Sequence, residues 1–358
     1  MTELLVGTKK GLFALEGEPG SEFEVRSRAF AGEPIDFAMR DAASGHVIAT
    51  STSPFYGPKI WFAEDPAGEW KQAEGVVLPE GGDEALQRIW VIVAGGDGGE
   101  GRSLYAGGDP GVLFESRDGG ETWELNRALR KHRVDEDWQP GGGGLCLHSI
   151  VPWPGEPDRL AVAVSAAGVW LTDDHGETWR RGNRGIVPRY LPEDAMEGTF
   201  QLCVHRMERA RLDPQRMFIQ FHGGVYRSDD GGQSWIAIGE GLPSDFGFPL
   251  ALDPGDPDSA YVIPLSGDFD RVTPDGHVRV YETRDGGDSW TPRGAGLPGE
   301  QAYLTVLRRA FDCAGEGPSL QLYFGATSGD VFGSGDAGGT WFTVATRLPP
   351  VFSVTAAP

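Results

Sequence analysis

The sequence predicts an all-β chain: a single seven-bladed β-propeller domain over residues 1–358, with a C-terminal strand closing blade 1. Three observations lead there. The motif S/T-x-D-x-G-x-S/T-W occurs five times, at residues 116–123, 172–179, 228–235, 283–290 and 334–341. Its aspartates, Asp118, Asp174, Asp230, Asp285 and Asp336, stand 56, 56, 55 and 51 residues apart, and a fixed period of this length marks a repeat architecture. The chain ends supply complementary pieces of one further unit.

Taken in order, the chain opens on Leu5-Val6-Gly7-Thr8-Lys9-Lys10-Gly11-Leu12-Phe13, the strand pair that precedes each motif elsewhere, here without a motif after it. A worn sixth copy, Ala63-Glu64-Asp65-Pro66-Ala67-Gly68-Glu69-Trp70, lies 53 residues before Asp118 and lacks the Ser/Thr before its Trp. That makes seven units, and 358 divided by 7 gives about 51 residues each. Every full copy follows a short apolar strand, such as Gly111-Val112-Leu113-Phe114 or Gly224-Val225-Tyr226. Every copy ends in a Trp that starts another strand: Trp123, Trp179, Trp235, Trp290 and Trp341. In the turn between, Asp accepts hydrogen bonds from backbone N–H groups, Gly takes positive φ, and Trp is an apolar plug between neighbouring units. These residues are structural, not catalytic. The first unit begins on its second strand, and Val351-Phe352-Ser353-Val354-Thr355 reads as the missing innermost one. Closing the ring in this way leaves no open sheet edge.

Division by a typical domain size would give two or three domains, but the even repeat overrides it. Gly 54 and Pro 26 suit many short strands and turns, and 11 Trp with 18 Phe argue against disorder. The net charge of −22 argues against nucleic acid and anionic membranes as partners. The start, Met1-Thr2-Glu3-Leu4-Leu5, has neither a basic n-region nor a long apolar run, and three cysteines make no disulfide framework. The expected setting is cytoplasmic.

The motif is similar to the Asp box, or BNR repeat, of sialidases and other β-propellers, and the resemblance runs along the whole chain. Residues 148–151, 166–170, 222–228 and 241–249 (the last reading Gly-Leu-Pro-Ser-Asp-Phe-Gly-Phe-Pro) resemble bacterial single-propeller BNR-repeat proteins of the WD40/YVTN/BNR-like superfamily. That family is often described as glycosyl hydrolase or exo-α-sialidase-like. The resemblance implies a glycoside hydrolase acting on an anionic or other glycan. Sialidases, however, need an arginine triad whose first member sits in an F/Y-R-I-P motif, and this chain has no such motif. Photosystem II assembly factors and sortilin-type receptors are Asp-box propellers that bind proteins without catalysis.

In such a ring the face opposite the Asp boxes, together with the central channel, binds ligands. Long loops on a rigid scaffold commonly carry function. The loop before blade 4 spans about residues 124–144 and holds Arg127, Arg130, Lys131, His132, Arg133 and Trp138. The loop before blade 5 spans about residues 180–201 and holds Arg189, Tyr190 and Glu193. This locally basic cluster either holds an anionic group or pairs with the interspersed acids. A near-duplicate follows: Leu145-Cys146-Leu147-His148 opens the inner strand of blade 4, and Leu202-Cys203-Val204-His205 that of blade 5. On a strand, residues i and i+2 share a face. With His222 on the next strand, the set Cys146, His148, Cys203, His205 and His222 is a candidate transition-metal site. Free Cys is often simply buried, and repeats duplicate residues by descent. His148, His205, His222, Arg189, Tyr190 and Phe246 are the candidate ligand contacts, with Asp245 and Phe246 expected at the channel mouth. Glu193, Asp245 and Asp268 are the candidate catalytic carboxylates.

Three readings follow. The first is a propeller binding a small anionic or glycan ligand, or a protein, on the face formed by the blade 4–6 loops. The second is a glycoside hydrolase. The third is a metal-dependent enzyme built on the Cys/His cluster.

Overall fold

The computed structural model describes residues 1–79, 84–96, 103–196, 201–267 and 269–357. Its strands form seven four-stranded antiparallel sheets, which follow one another as the blades of a ring. Blades 2 to 7 are each contiguous in sequence, and their inner strands are Ile35–Arg40, Arg88–Ala94, Leu147–Trp153, Val204–Arg209, Gly247–Leu252 and Phe311–Ala314. Blade 1 is assembled from both ends of the chain. Its order is Val351–Ala357, Thr2–Thr8, Gly11–Gly17, Glu24–Ala29, so the last strand is the innermost. The expected closure is what the structure shows.

The box turns account for the outer rim. In blade 5, Asp230 Oδ1 accepts from the Ser228 hydroxyl at 2.8 Å and from the N–H groups of Gln233 and Ser234 at 3.0 and 2.8 Å. Its Oδ2 accepts from the Ser234 hydroxyl. Asp118, Asp174, Asp285 and Asp336 have the same hydroxyl partners on both sides of their turns. The box tryptophans pack under these turns, and Trp123, Trp179, Trp235 and Trp341 are buried. Each blade also ties to the one before it. Trp235 N–H donates to Arg184 O, and Gly185 lies against the Trp235 carbonyl at φ 90°, where a Cβ would collide with that oxygen.

One irregularity recurs on the inner strands. Their register against the second strand shifts between Ile35 and Phe37, Ile89 and Val91, Leu147 and Ser149, Val204 and Arg206, and Gly247 and Leu250. A β-bulge re-aims the side chain of its extra residue. The bulged positions hold Asp36, Trp90, His148, His205 and Phe248, all near the start of their strands. First and third strands run the same way in each blade, so the box turns lie where inner strands end. The bulges therefore ring the opposite mouth of the channel.

Candidate functional site

The mouth is built by residues from blades 2 to 7. Cys203, His205 and His222 come together, with their ligand atoms all within 4.8 Å of one another. Val204 pairs with Phe221 in the sheet, which places Cys203 and His222 opposite each other one step further out. The His222 N–H donates to Cys203 O at 3.0 Å and locks that pair. His222 lies in the tight turn after the second strand rather than on the strand expected for it. His205, swung by its bulge, donates from Nδ1 to Gly247 O at 2.6 Å. Phe246 and Phe248 wall the group, with ring centroids 5.3 and 4.8 Å from His205. Tyr190 covers it, 4.5 Å from the His222 ring, and its hydroxyl bridges Gln201 O and the Cys203 N–H.

The other two members of the expected metal set stand apart. Cys146 sits in the turn before its strand, with Sγ 3.1 Å from Gly143 O. His148 is sealed in the core and fully bonded. Its Nε2 donates to Val204 O at 2.7 Å, and its Nδ1 faces the Ser149 hydroxyl at 3.1 Å. Ser149 in turn accepts from the Met207 N–H. The duplication thus has two outcomes, because the blade 4 histidine spends Nε2 on Val204 O of blade 5 and Nδ1 on Ser149 of its own strand. Burial, and then the charge of Arg308, push both His148 and His205 far below the usual imidazole range, so both rings are neutral.

Arg308 dominates the electrostatics. It precedes the inner strand of blade 7 and crosses the channel. Its guanidinium carbon lies 4.7 Å from the Phe248 ring and 5.9 Å from the Trp90 ring. Among the described residues no carboxylate pairs with it, and its buried Nε has no hydrogen-bond partner. The Trp90 Nε1 is likewise buried and unpartnered. Burial, with Arg271 and Arg88 nearby, pulls Arg308 below the ordinary arginine range. Arg88 is compensated, 3.3 Å from Asp36, and the Arg271 guanidinium carbon lies 5.6 Å from the Phe248 ring centroid. Sequence reasoning missed Arg308, Arg88, Trp90 and Asp36. For Asp36 and Trp90 the available signal was a polar or indole side chain at the bulge offset of otherwise apolar inner strands; Arg308 and Arg88 had none.

The remaining expectations separate. The loop before blade 4 forms a helix, Arg127–Asp135, capped by Asn126. Three of its basic residues pair with acids, Lys131 with Asp135, His132 with Glu136 and Arg133 with Glu84, while Arg127 and Arg130 have no ion pair among the described residues. Rim pairing accounts for Lys131, His132 and Arg133. Arg189, Glu240 and Asp245 line a separate cleft of about 260 Å³ beside Tyr226. Asp245 thus turns away from the channel while Phe246 faces it. Glu193 is exposed at the start of a short helix, Glu193–Met196, and Asp268 lies outside the described residues. Further down the channel Arg206 and Arg309 both pair with Glu208. No helix among the described residues is long and apolar enough to cross a membrane.

The BNR/Asp-box repeat family matches residues 114–125. No curated protein matches the chain. Among solved structures, an ancestral GH74 enzyme superposes with a TM-score of 0.57 at 16% identity, over 90% of this chain and 38% of that one. The chain therefore spans well under two thirds of that enzyme. A YCF48 bound to D1 peptide superposes with a TM-score of 0.52 at 13% identity, over 96% and 85% of the two chains. A putative 6-phosphogluconolactonase from Bacteroides fragilis gives 0.59 at 10% identity, over 100% and 98%. At these identities the likeness is one of fold.

Proposed function

We propose that this chain, a seven-bladed propeller of the BNR/Asp-box type, is a binding module that holds an anionic group of its ligand at the channel mouth. One observation carries the reading: the Arg308 guanidinium, walled by Phe248 and Trp90, has no carboxylate among the described residues to balance it. Burying an uncompensated charge is costly, and proteins keep such charges where a ligand completes the pair. A carboxylate or phosphate fits a guanidinium fork, and the Trp90 Nε1 is a further donor. The peptide-bound YCF48 propeller supports a peptide or protein carboxylate as the ligand class, ahead of a small anion or an acidic glycan.

Thermal unfolding with and without inorganic phosphate, citrate and a short acidic peptide tests this. Binding raises the midpoint with ligand concentration. The wild type is expected to shift and Arg308→Gln to shift little. No shift in either protein, or equal shifts in both, rejects the reading.

Glycoside hydrolysis has one observation in its favour: Glu240 and Asp245 line the same cleft beside Arg189, giving the two carboxylates such chemistry needs. Turnover of a glycoside panel, abolished by both Glu240→Gln and Asp245→Asn, would establish it.

A further inference from the structure

We infer that Cys203, His205 and His222 form a zinc-class metal site with one open coordination position, distinct in chemistry from the anion-holding role of Arg308. The donor set is one sulfur and two imidazoles, and their ligand atoms lie within 4.8 Å of one another. A tetrahedral zinc with bonds of about 2.0–2.3 Å needs donors roughly 3.3–3.8 Å apart, so small side-chain rotations close the set. The scaffold already restrains it. Cys203 and His222 are joined by the 3.0 Å backbone hydrogen bond between them. His205 is oriented from behind, because donating Nδ1–H to Gly247 O leaves Nε2 as the bare ligand nitrogen. An outer-shell carbonyl on the far nitrogen is how metal-bound histidines are usually fixed. The His205 ring is buried among Phe246 and Phe248, while Cys203 and His222 are half-buried, so the group is reachable from one side.

Charge sets the fourth ligand. Cys203 as thiolate, two neutral imidazoles and a divalent ion sum to +1. Burial raises the Cys203 thiol and Arg308 offsets only part of that, so the bound metal is what displaces the proton, while Arg308 adds a second positive charge near the open position. Among the described residues no fourth His, Cys, Asp or Glu joins the group, so that position takes water, hydroxide or an anionic oxygen. Cys146 and His148 are excluded, since Cys146 Sγ turns to Gly143 O and His148 uses both nitrogens in the core.

The test is titration of the chelator-treated full chain with Co2+ and then Zn2+. One Co2+ per chain is expected, with tetrahedral visible bands and a thiolate-to-cobalt charge-transfer band that Zn2+ bleaches. Cys203→Ser should lose the charge-transfer band, and Cys203→Ser and His222→Gln should each weaken binding by more than the roughly 10–100-fold seen on losing an outer-shell partner. Cys146→Ser should bind as the wild type does, and circular dichroism should show each variant folded. Substoichiometric binding, an octahedral cobalt spectrum, or a charge-transfer band that follows Cys146 overturns the site. Arg308→Gln separates this inference from the anion-binding reading: it should retain one Co2+ per chain while losing the anion response.

Discussion

Arg308 of blade 7 and Trp90 of blade 3 meet across the channel, 5.9 Å from guanidinium carbon to ring centroid, and each keeps a buried nitrogen without a partner. Blades on opposite arcs of the ring touch here through side chains that leave their polar atoms unsatisfied. Such a pair weakens the fold unless something binds. Arg308→Met keeps the stem against Phe248 and removes the charge. It is expected to raise the stability of the unliganded protein by about 1–3 kcal/mol, as apolar replacement of poorly compensated buried charge does. Urea unfolding in low-phosphate buffer measures this. A destabilised Met variant would mean that Arg308 is a structural strut.

The Asp boxes should behave in the opposite way. Asp230 is held by two hydroxyls and two N–H groups of its own turn. Bonds to a charged acceptor contribute more than neutral ones, so Asp230→Ala is expected to cost about 2–4 kcal/mol. Anion binding at the mouth should be untouched, because the box lies at the other face. Asp118 and Asp230 sit two blades apart with separate partners, so their alanine costs should add within about 0.5 kcal/mol. Equilibrium unfolding of both single variants and the double variant decides the point.

Asp36 gives a pH signature. Burial raises its pKa from 3.8 to about 6, and Arg88 and the Thr52 hydroxyl offset only part of that. The folded state thus holds its proton longer than the unfolded chain does. Below pH 3.8 both states are protonated and Asp36 makes no difference to stability. From pH 3.8 to about 6 the unfolded chain ionises first, so its contribution falls as pH rises and then levels off. The total is about 3 kcal/mol for a shift of this size. Asp36→Asn should abolish that falling component. Denaturation midpoints of both proteins from pH 4 to pH 7, compared as a difference, check it, and a flat difference rejects it.

How much of this was legible follows from what each feature depends on. The box aspartates and tryptophans are local: Ser228, Asp230 and Ser234 bond within one turn, so residue spacing alone reveals them. The closing strand was legible because blade 1 lacked one. The Cys203–His205 pair was legible as a duplicate of Cys146–His148, yet the duplicate fails to act as one. A bulge at each histidine and different neighbours, Val204 O for His148 and Gly247 O for His205, decide their fates. Arg308 could not be read at all. Its significance is that no carboxylate among the described residues pairs with a residue that crosses the channel, and that depends on where all seven inner strands converge.

The closing strand carries the last prediction. Val351–Ala357 pairs with Thr2–Thr8 but also bonds to both neighbouring blades. Val354 N–H donates to Arg309 O, Ala356 N–H to Asp312 Oδ2, and the Thr355 hydroxyl to Ala38 O. Val351 and Val354 are fully buried against them. Removing residues 351–358 therefore strips blade 1 of its inner strand and cuts ties to blades 2 and 7, leaving Thr2–Thr8 as an open edge. Open edges recruit other strands. The truncated chain is expected to lose its single cooperative unfolding transition and to self-associate, and a synthetic peptide of residues 351–357 added in trans should partly restore both. Light scattering with calorimetry measures this. A monomeric truncation with an unchanged midpoint would show that the ring closes without the strand. The milder Val354→Ala, which removes two methyl groups from a packed site, should cost about 2 kcal/mol and leave the chain monomeric.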